Sequence, residues 1–188
     1  MSLHRTGLPL TALCVFFLTC CLSVEAGWDP RKRSAEAGDG ESEAAATAKS
    51  EFLGKDSSLQ EFFDAAWGYA IFPSVGKGGF GIGGAYGKGE VYEKGVYVGQ
   101  TKLKQFTIGF QIGGQKYREV IFFKSEAALD DFKRGNFELG AQASAVAVTA
   151  GASADADYAD DIAIFTMTIG GLMYEATVGG QKFDFHPK

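Results

Sequence analysis

Residues 67–86 read WGYAIFPSVGKGGFGIGGAY, and the rest of the chain is organised around this stretch. An apolar run ends at Pro73, and a Ser-Val-Gly-Lys turn and a segment of alternating glycines follow, so the pattern indicates a strand, a bend and a second strand. Glycine is unfavourable inside a strand, so glycines on one face suggest that another part of the protein approaches closely. These glycines are Gly79, Gly81 and Gly83.

A short helix is predicted just before this stretch. Ser58 and Glu61 have the spacing of a capping box, in which the serine caps the helix and the glutamate reaches back to it. Four apolar residues recur at the spacing of one helical face: Leu59, Phe62, Phe63 and Ala66. Such a stripe either covers a sheet or lies on a membrane, and we favour the first use.

Alternation of apolar and polar residues continues downstream and predicts successive antiparallel strands. The predicted strands are Glu90–Tyr92, Val96–Val98, Lys102–Ile112, Lys116–Phe123, Ile162–Ile169, Leu172–Val178 and Lys182–Phe185. In the longest strand we expect one side to be core, the side that carries Phe106, Ile108, Phe110 and Ile112. Two glycine pairs have the composition of tight hairpin turns: Gly113-Gly114 and Gly179-Gly180.

The remaining segments predict one more helix, a strand and a loop. Residues 125–133 begin with a serine cap, end with Lys133 and precede Gly135, which is typical of a short helix. Residues 137–148 fit either a helix or a strand, and alternation of apolar residues favours a strand. Residues 151–161 hold four aspartates without the ligand ladder of a calcium loop, so we expect a solvated loop.

These patterns together predict an α+β fold. A chain of 188 residues allows one domain with a real core. The glycines permit curvature, so we expect a strongly curved or barrel-like antiparallel sheet of about six to eight strands. Short helices should flank this sheet.

The N-terminal residues resemble an export signal. His4 and Arg5 precede an apolar run over residues 8–22, and Val24-Glu25-Ala26 has the small residues of a cleavage site. We therefore expect residues 1–26 to be a signal peptide and the protein to be exported, periplasmic or envelope-associated. Two alternatives stay open, a lipid anchor at Cys21 and an uncleaved membrane anchor. Residues 27–57 lack clear apolar periodicity and predict a largely disordered linker before a domain over residues 58–188.

Several function classes are disfavoured by the composition. The net charge of -5 argues against general binding to nucleic acids, because phosphate contacts need a basic surface. His186 is the only histidine after residue 26, and all three cysteines lie before residue 26. The expected mature chain therefore lacks the side chains for a cysteine nucleophile, a serine–histidine pair or a cysteine–histidine zinc site. The GxGxxG spacings over residues 76–84 lead into a strand instead of a helix, which excludes a dinucleotide site. We expect no enzyme activity and no cofactor.

Residues 59–185 resemble the SYLF domain family, a lipid-binding module of bacteria and eukaryotes. The residues that carry the resemblance keep their order along the chain: 70–80, Gly84, 87–89, 109–113, 137–141 and 170–172. The resemblance implies binding to phospholipids. Some eukaryotic members also bind actin, but the export signal and the divergent residues 98–102 make actin an unlikely partner. The alternative is a structural or adaptor protein that binds another envelope protein, of unknown identity, through its sheet.

The implied lipid site needs lysines next to apolar groups, since the chain as a whole is negative. Lys77 and Lys88 flank the glycine-rich strand, and Lys102 and Lys104 share one face of the next long strand. We expect these lysines to lie close to two aromatic residues, Phe72 and Phe80. The alternative is that the lysines only solvate strand ends and protect sheet edges.

Overall fold

The computed structural model describes residues 42–135, 137–139 and 145–188. The predicted signal peptide and residues 27–41 lie outside these described residues. The elements are α1 (Glu43–Lys55), α2 (Leu59–Ala65), β1 (Gly68–Glu93), β2 (Val96–Phe123), α3 (Glu126–Lys133), β3 (Phe137–Leu139), β4 (Val146–Ala147) and β5 (Ile162–Pro187). Of the helices in the described ranges, none has the length and apolar character needed to span a membrane. The predicted α+β class is confirmed.

Three long antiparallel strands form the body of the sheet. β1 and β2 are joined by a tight turn at Lys94 and Gly95, and both residues have positive φ, which matches the twist of a hairpin. β5 pairs with the other edge of β2 along nearly its whole length. Beyond β5, β3 adds an antiparallel pairing and β4 a short parallel one.

The strands are longer and fewer than the sequence predicts. Gly113 pairs with Met173, and Gly179 pairs with Thr107, so both predicted hairpin turns lie inside continuous strands and that prediction is wrong. A glycine pair has the same composition in a turn and at a bend within a strand, which explains the error. The described residues form five strands in the order β1-β2-β5-β3, with β4 also on β5. The predicted six to eight strands and barrel-like shape are therefore not confirmed.

The two halves of β1 lie against each other. A Cβ atom added at Gly89 would be 2.6 Å from Cδ1 of Phe72, and one at Gly87 would be 2.7 Å from Cγ2 of Val75. Only glycine allows the two backbones to approach so closely. The middle of the long strands, where the chain changes direction, is consequently left outside the core.

Aromatic side chains fill the space between the two halves of the sheet. The rings of Phe72 and Phe183 have centroids 5.7 Å apart, and Phe132 of α3 lies 5.3 Å from Phe183 and 4.9 Å from Phe123. Burying each such ring stabilises the fold by about 1.5–3 kcal/mol. α3 begins with the predicted Ser125 cap, whose hydroxyl accepts a hydrogen bond from the backbone N–H of Ala128.

A second apolar cluster lies on the opposite face of the sheet, under α1 and α2. Phe62 of α2 packs edge-on against Phe165, with 4.9 Å between ring centroids. The prediction that this helix covers the sheet is confirmed. The predicted capping box is not present. Ser58 makes no side-chain cap hydrogen bond, and its hydroxyl contacts Asp56 and Ser153 instead.

The linker prediction is wrong for residues 43–55, which form α1. Three apolar residues that share one helical face are fully buried: Ala45, Ala48 and Phe52. Glu51 accepts two hydrogen bonds from Arg118 of β2, at 2.8 and 2.7 Å, and this ion pair ties the helix to the sheet. Small alanines concealed this stripe in the sequence, since they carry little weight in apolar periodicity.

The segment between α3 and β5 agrees with the sequence in part. The strand predicted over residues 137–148 is present as β3 and β4, and residues 140–144 lie outside the described part of the chain. Residues 151–161 form a loop, as predicted, with turns at residues 151–155 and 160–161. One residue of this loop is buried, because Ser153 donates hydrogen bonds from its N–H and its hydroxyl to the carboxylate of Asp56, both at 2.8 Å.

Candidate functional site

Seven large apolar side chains are exposed on one face of the sheet where the long strands bend. Phe80 pairs with Ile112 and Ile82 pairs with Ile108, and directly paired residues point to the same side. Phe80 is 81% exposed and Phe110 is 71% exposed. We call this surface the apolar face; its members are Phe80, Ile82, Phe106, Ile108, Phe110, Ile112 and Leu172.

The opposite side of the same strand segment is polar and buried. The hydroxyl of Thr107 donates to Oε1 of Gln111 at 2.9 Å, and Nε2 of Gln111 donates to the carbonyl oxygens of Thr107 and Gly81. Gln111 fills the space against Gly79 and Gly83, where an added Cβ atom would collide. The close approach that the sequence predicts is confirmed at these two glycines. It is wrong at Gly81, where an added Cβ atom would meet nothing within 4 Å and the positive φ of 70° is what favours glycine.

This arrangement corrects the sequence analysis, which expects the face of Phe106, Ile108, Phe110 and Ile112 to be core. Alternation shows that a strand has two different sides, but it does not show which side faces inwards. The sequence did contain a signal. Lys102 and Lys104 are in phase with Phe106, so the same face carries charge at one end and is poorly suited to burial.

Lysines continue the apolar face along the sheet. Lys88 pairs with Lys102 across β1 and β2, and Lys104 pairs with Lys182 across β2 and β5, so all four side chains start from one face. We call them the lysine row: Lys88, Lys102, Lys104 and Lys182. Three of the four lysines predicted from the sequence are thus brought together, with Lys104 two residues from Phe106 on the same side of β2, while Phe80 lies farther along the sheet, paired with Ile112.

Two carboxylate residues lie in register with the lysine row: Asp184 pairs with Lys102, and Glu138 pairs with Lys182. Nζ of Lys104 is 2.5 Å from Oδ2 of Asp184, and this hydrogen bond holds the pKa of Asp184 below its ordinary value. Lys104 is more than half exposed, so solvent screens the pair and it adds little stability. Lys102 lies 3.4 Å from Nε2 of His186. With four lysines against these two carboxylates, the row keeps a net positive charge.

The lysine row borders a cleft of about 760 Å³ that lies beside the N-terminus of α1. Lys88, Lys102 and Ser42 contribute to its wall. Glu90 accepts hydrogen bonds from the backbone N–H of Ser42 at 3.2 Å and from the hydroxyl of Tyr92 at 2.5 Å. Because this carboxylate already occupies the start of the helix, the cleft favours cations near Glu90 and anions near the lysines.

Two residues of the predicted site lie elsewhere. Phe72 is fully buried and contacts Phe183, so it cannot reach a lipid in this conformation. Lys77 pairs with Gln115 and lines a solvent-open polar pocket beside Glu119, on the side of the sheet opposite Phe80. The sequence placed both near Phe80, but the bend between Phe72 and Val75 and the alternation of sides send them inwards.

A metal-binding constellation is not evident in the described ranges. Residues 42–135, 137–139 and 145–188 contain no group of three histidine, cysteine, aspartate or glutamate side chains placed to hold a metal ion. Asp56 is held by Ser58 and Ser153: burial alone would raise its pKa, but these hydrogen bonds hold the pKa well below its ordinary range. That cluster fastens α2 to the loop before β5.

Comparison with known proteins identifies relatives of this fold. Residues 104–186 match a family described as "Ysc84: Las17-binding protein actin regulator". The chain is also similar to Beta cell expansion factor A of Aeromonas veronii, with 30% identity over 139 residues. That alignment covers 73% of this chain and 52% of the relative, so the chain spans about half the length of the protein it matches.

Proposed function

Because the chain belongs to the Ysc84 family, also known as the SYLF family, we propose that it is a non-enzymatic phospholipid-binding protein of the bacterial cell envelope. The apolar face, next to the lysine row, is the observation that carries this proposal. Soluble proteins rarely expose contiguous apolar patches that serve no purpose. A lipid surface matches both the apolar face and the lysine row, since acyl chains cover apolar groups and anionic headgroups attract lysines.

The energies of these contacts are large enough for membrane association. Transfer of one Phe or Ile side chain from water to an apolar environment is worth about 1.5–3 kcal/mol. Each lysine near an anionic membrane adds about 1 kcal/mol. Since Phe80 and Phe110 are the large aromatic members of the face with the greatest exposure, they should contribute most of the apolar part.

The absence of catalysis and the location in the envelope are parts of the same proposal. His186 is exposed near the C-terminus and contacts a lysine, an arrangement that offers no base for a nucleophile. The envelope location rests on the predicted export signal at residues 1–26, with cleavage after Ala26 expected and lipidation at Cys21 as the alternative. Sequencing the N-terminus of the protein recovered from cells distinguishes the two.

Co-sedimentation with liposomes tests lipid binding directly. The protein should pellet with anionic vesicles, and a double variant of the apolar face, Phe80→Ser with Phe110→Ser, should stay in the supernatant. Both residues are exposed, so the variant should fold. Val96→Ser is the control, because Val96 is also exposed but lies about 33 Å along β2 from Phe106. Absence of pelleting with every anionic and zwitterionic mixture would sink the proposal.

A charge variant separates the two parts of the surface. It replaces three members of the lysine row: Lys88→Gln, Lys102→Gln and Lys104→Gln. A control with the same change of net charge replaces three exposed lysines elsewhere: Lys55→Gln, Lys94→Gln and Lys124→Gln. Only the first variant should bind anionic vesicles more weakly and lose the salt dependence of binding, because screening acts on local charge pairs.

A second candidate function is an adaptor that binds another envelope protein through its sheet. The family description names a protein-binding regulator, and β1 lies at one end of the described strand order, where its outer edge can accept a further strand. Crosslinking in cells would then capture one protein partner regardless of lipid. We expect no actin among the partners of an exported protein.

A further inference from the structure

The cleft beside the N-terminus of α1 carries both positive and negative side chains in its wall. Its volume of about 760 Å³ is in the range of small-molecule binding sites. Lys88, Glu90 and Lys102 contribute to this wall. Lys88 pairs with Lys102 across β1 and β2 and is two residues from Glu90, so all three side chains start from one side of the sheet. We call it the Lys88–Glu90 cleft.

The two lysines of the cleft are not neutralised by an acidic partner among the described residues. Lys88 and Lys102 are directly opposite each other, and like charges in that position destabilise a sheet. The ion pairs of the described residues involve neither of them. Asp184 is in register with Lys102, but its Oδ2 is hydrogen-bonded to Nζ of Lys104 at 2.5 Å. An anion between the two ammonium groups would offset their repulsion, so this part of the cleft suits a phosphate.

Glu90 supplies the negative charge of the cleft and is held in place. Its Oε2 accepts hydrogen bonds from the backbone N–H of Ser42 at 3.2 Å and from the hydroxyl of Tyr92 at 2.5 Å. Within the described part of the chain no hydrogen bond uses its Oε1, which can therefore accept from a ligand. Glu90 starts about 7 Å along β1 from Lys88, so a simple anion bound by the lysines would meet its negative charge. A ligand that carries a cation beside its phosphate makes a favourable contact with both charges.

The wall also distinguishes between kinds of ammonium group. A quaternary ammonium is typically held by a cage of aromatic rings, whereas Tyr86 is the only aromatic residue among the described residues of this wall. A primary ammonium donates charge-assisted hydrogen bonds, which a carboxylate oxygen such as Oε1 of Glu90 accepts. In an ethanolamine phosphate ester, one oxygen and two carbon atoms separate the phosphorus from the nitrogen. The phosphate and the ammonium can therefore reach the lysines and Glu90 at the same time.

A membrane lipid can deliver this headgroup to the cleft. Lys88 and Lys102 belong to the lysine row, which continues the apolar face along the sheet. Phe106 of the apolar face lies four residues, or about 13 Å, along β2 from Lys102 and on the same side. When the apolar face contacts acyl chains, the cleft therefore faces the headgroup layer.

We propose that the Lys88–Glu90 cleft binds the headgroup of an ethanolamine phospholipid. The phosphodiester lies between Nζ of Lys88 and Nζ of Lys102, and the primary ammonium donates to Oε1 of Glu90. This inference rests on the proposed phospholipid-binding function and adds to it a preference for one class of headgroup.

Phosphorus NMR titration with deacylated headgroups tests the cleft on the full chain, in lipid-free solution at low salt. The probes are glycerophosphoethanolamine, glycerophosphocholine and glycerophosphoglycerol at millimolar concentrations; they share the phosphodiester and differ in the group attached to it. Glycerophosphoethanolamine should bind about tenfold more tightly than the other two, since it alone brings a primary ammonium to Glu90. Equal affinities for the three probes, or no saturable binding of glycerophosphoethanolamine, overturns the proposal.

Two variants test the assigned contacts. Glu90→Gln keeps an acceptor oxygen but removes the negative charge, so glycerophosphoethanolamine should bind no more tightly than glycerophosphoglycerol. Lys102→Gln should weaken the binding of all three probes about tenfold and does not touch the contact between Glu90 and α1. Glu126→Gln and Lys55→Gln make the same chemical changes at exposed positions and should bind like the unmodified protein. An ethanolamine preference that survives in Glu90→Gln, or unchanged affinity in Lys102→Gln, contradicts the proposed site.

Vesicles distinguish a lipid headgroup from a free ester of the same chemistry. Vesicles of phosphatidylethanolamine and phosphatidylcholine in equal parts should displace glycerophosphoethanolamine from the protein, and vesicles of phosphatidylcholine alone should not. Absence of displacement by the first vesicles would assign the cleft to a soluble ester and overturn the lipid proposal. If the protein pellets with anionic vesicles but no soluble probe binds, the headgroup site alone fails. If the probes bind but no vesicle pellets the protein, the proposed phospholipid function fails, and the lipid source of the headgroup fails with it.

Discussion

Replacing Glu119 by glutamine should change how the stability of the protein depends on pH. Burial raises the pKa of Glu119 from its ordinary value of 4.5 to about 7, and the hydrogen bond from Gln181 and the charge of Lys77 offset this only in part. The folded state therefore holds a proton that the unfolded state releases. The difference of 2.5 pKa units corresponds to about 3 kcal/mol.

The sign of the effect follows from proton binding. Below pH 4.5 the carboxyl is neutral in both states, and the stability of the fold is unaffected by its ionisation. As the pH rises from 4.5 to about 7, the folded state binds more protons than the unfolded state, so the free energy of unfolding falls. Above about pH 7 the carboxyl is ionised in both states, and the free energy of unfolding falls no further on its account. Glu119→Gln has no charge to bury and should not show this fall.

Urea unfolding at about pH 4.5 and about pH 8 measures the effect for each protein. The free energy of unfolding of Glu119→Gln, relative to the unmodified protein, should be about 3 kcal/mol higher at the upper pH than at the lower pH. Glu126→Gln, which is exposed, should show no comparable difference. An equal difference for Glu119→Gln at both pH values would refute the reasoning, since Glu119 would then titrate alike in both states.

Two further substitutions test the packing of the fold. Phe132→Ala removes a fully buried ring that contacts Phe123 and Phe183, so it should lower the free energy of unfolding by about 3–5 kcal/mol in urea titrations, and a loss near zero would show that α3 is not docked. Asp56→Ala leaves donors of Ser58 and Ser153 without their acceptor, so a loss of about 1–3 kcal/mol is expected, accompanied by faster hydrogen exchange at Ser153.

Helix caps, apolar stripes and alternation of apolar residues predicted the elements whose formation depends on neighbouring residues in the sequence. The Ser125 cap and the following glycine located α3, and the stripe from Leu59 to Ala66 showed which side of α2 is buried. The alternating residues marked most of the strand sequence correctly. Each of these signals is complete within about ten residues, so no tertiary contact was needed to read it.

The remaining features depend on contacts between distant residues. Gly113-Gly114 lies inside a strand because β5 pairs along it, and local composition does not record that partner. Phe72 and Phe106 both occupy alternating strand positions, but only the return of the second half of β1 decides that Phe72 is buried. The buried state of Glu119 has the same cause, since an isolated glutamate in a strand usually faces solvent.

Depth-dependent fluorescence quenching tests the central claim, that the apolar face enters the lipid. Phe80→Trp places a reporter on that face, and Val96→Trp places one at an exposed position about 33 Å along the strand from Phe106. In vesicles whose acyl chains carry bromine, emission from Phe80→Trp should be strongly quenched, while Val96→Trp should match the background from the native tryptophans. Equal quenching of the two variants, or none in vesicles that bind the protein, would contradict insertion of this face.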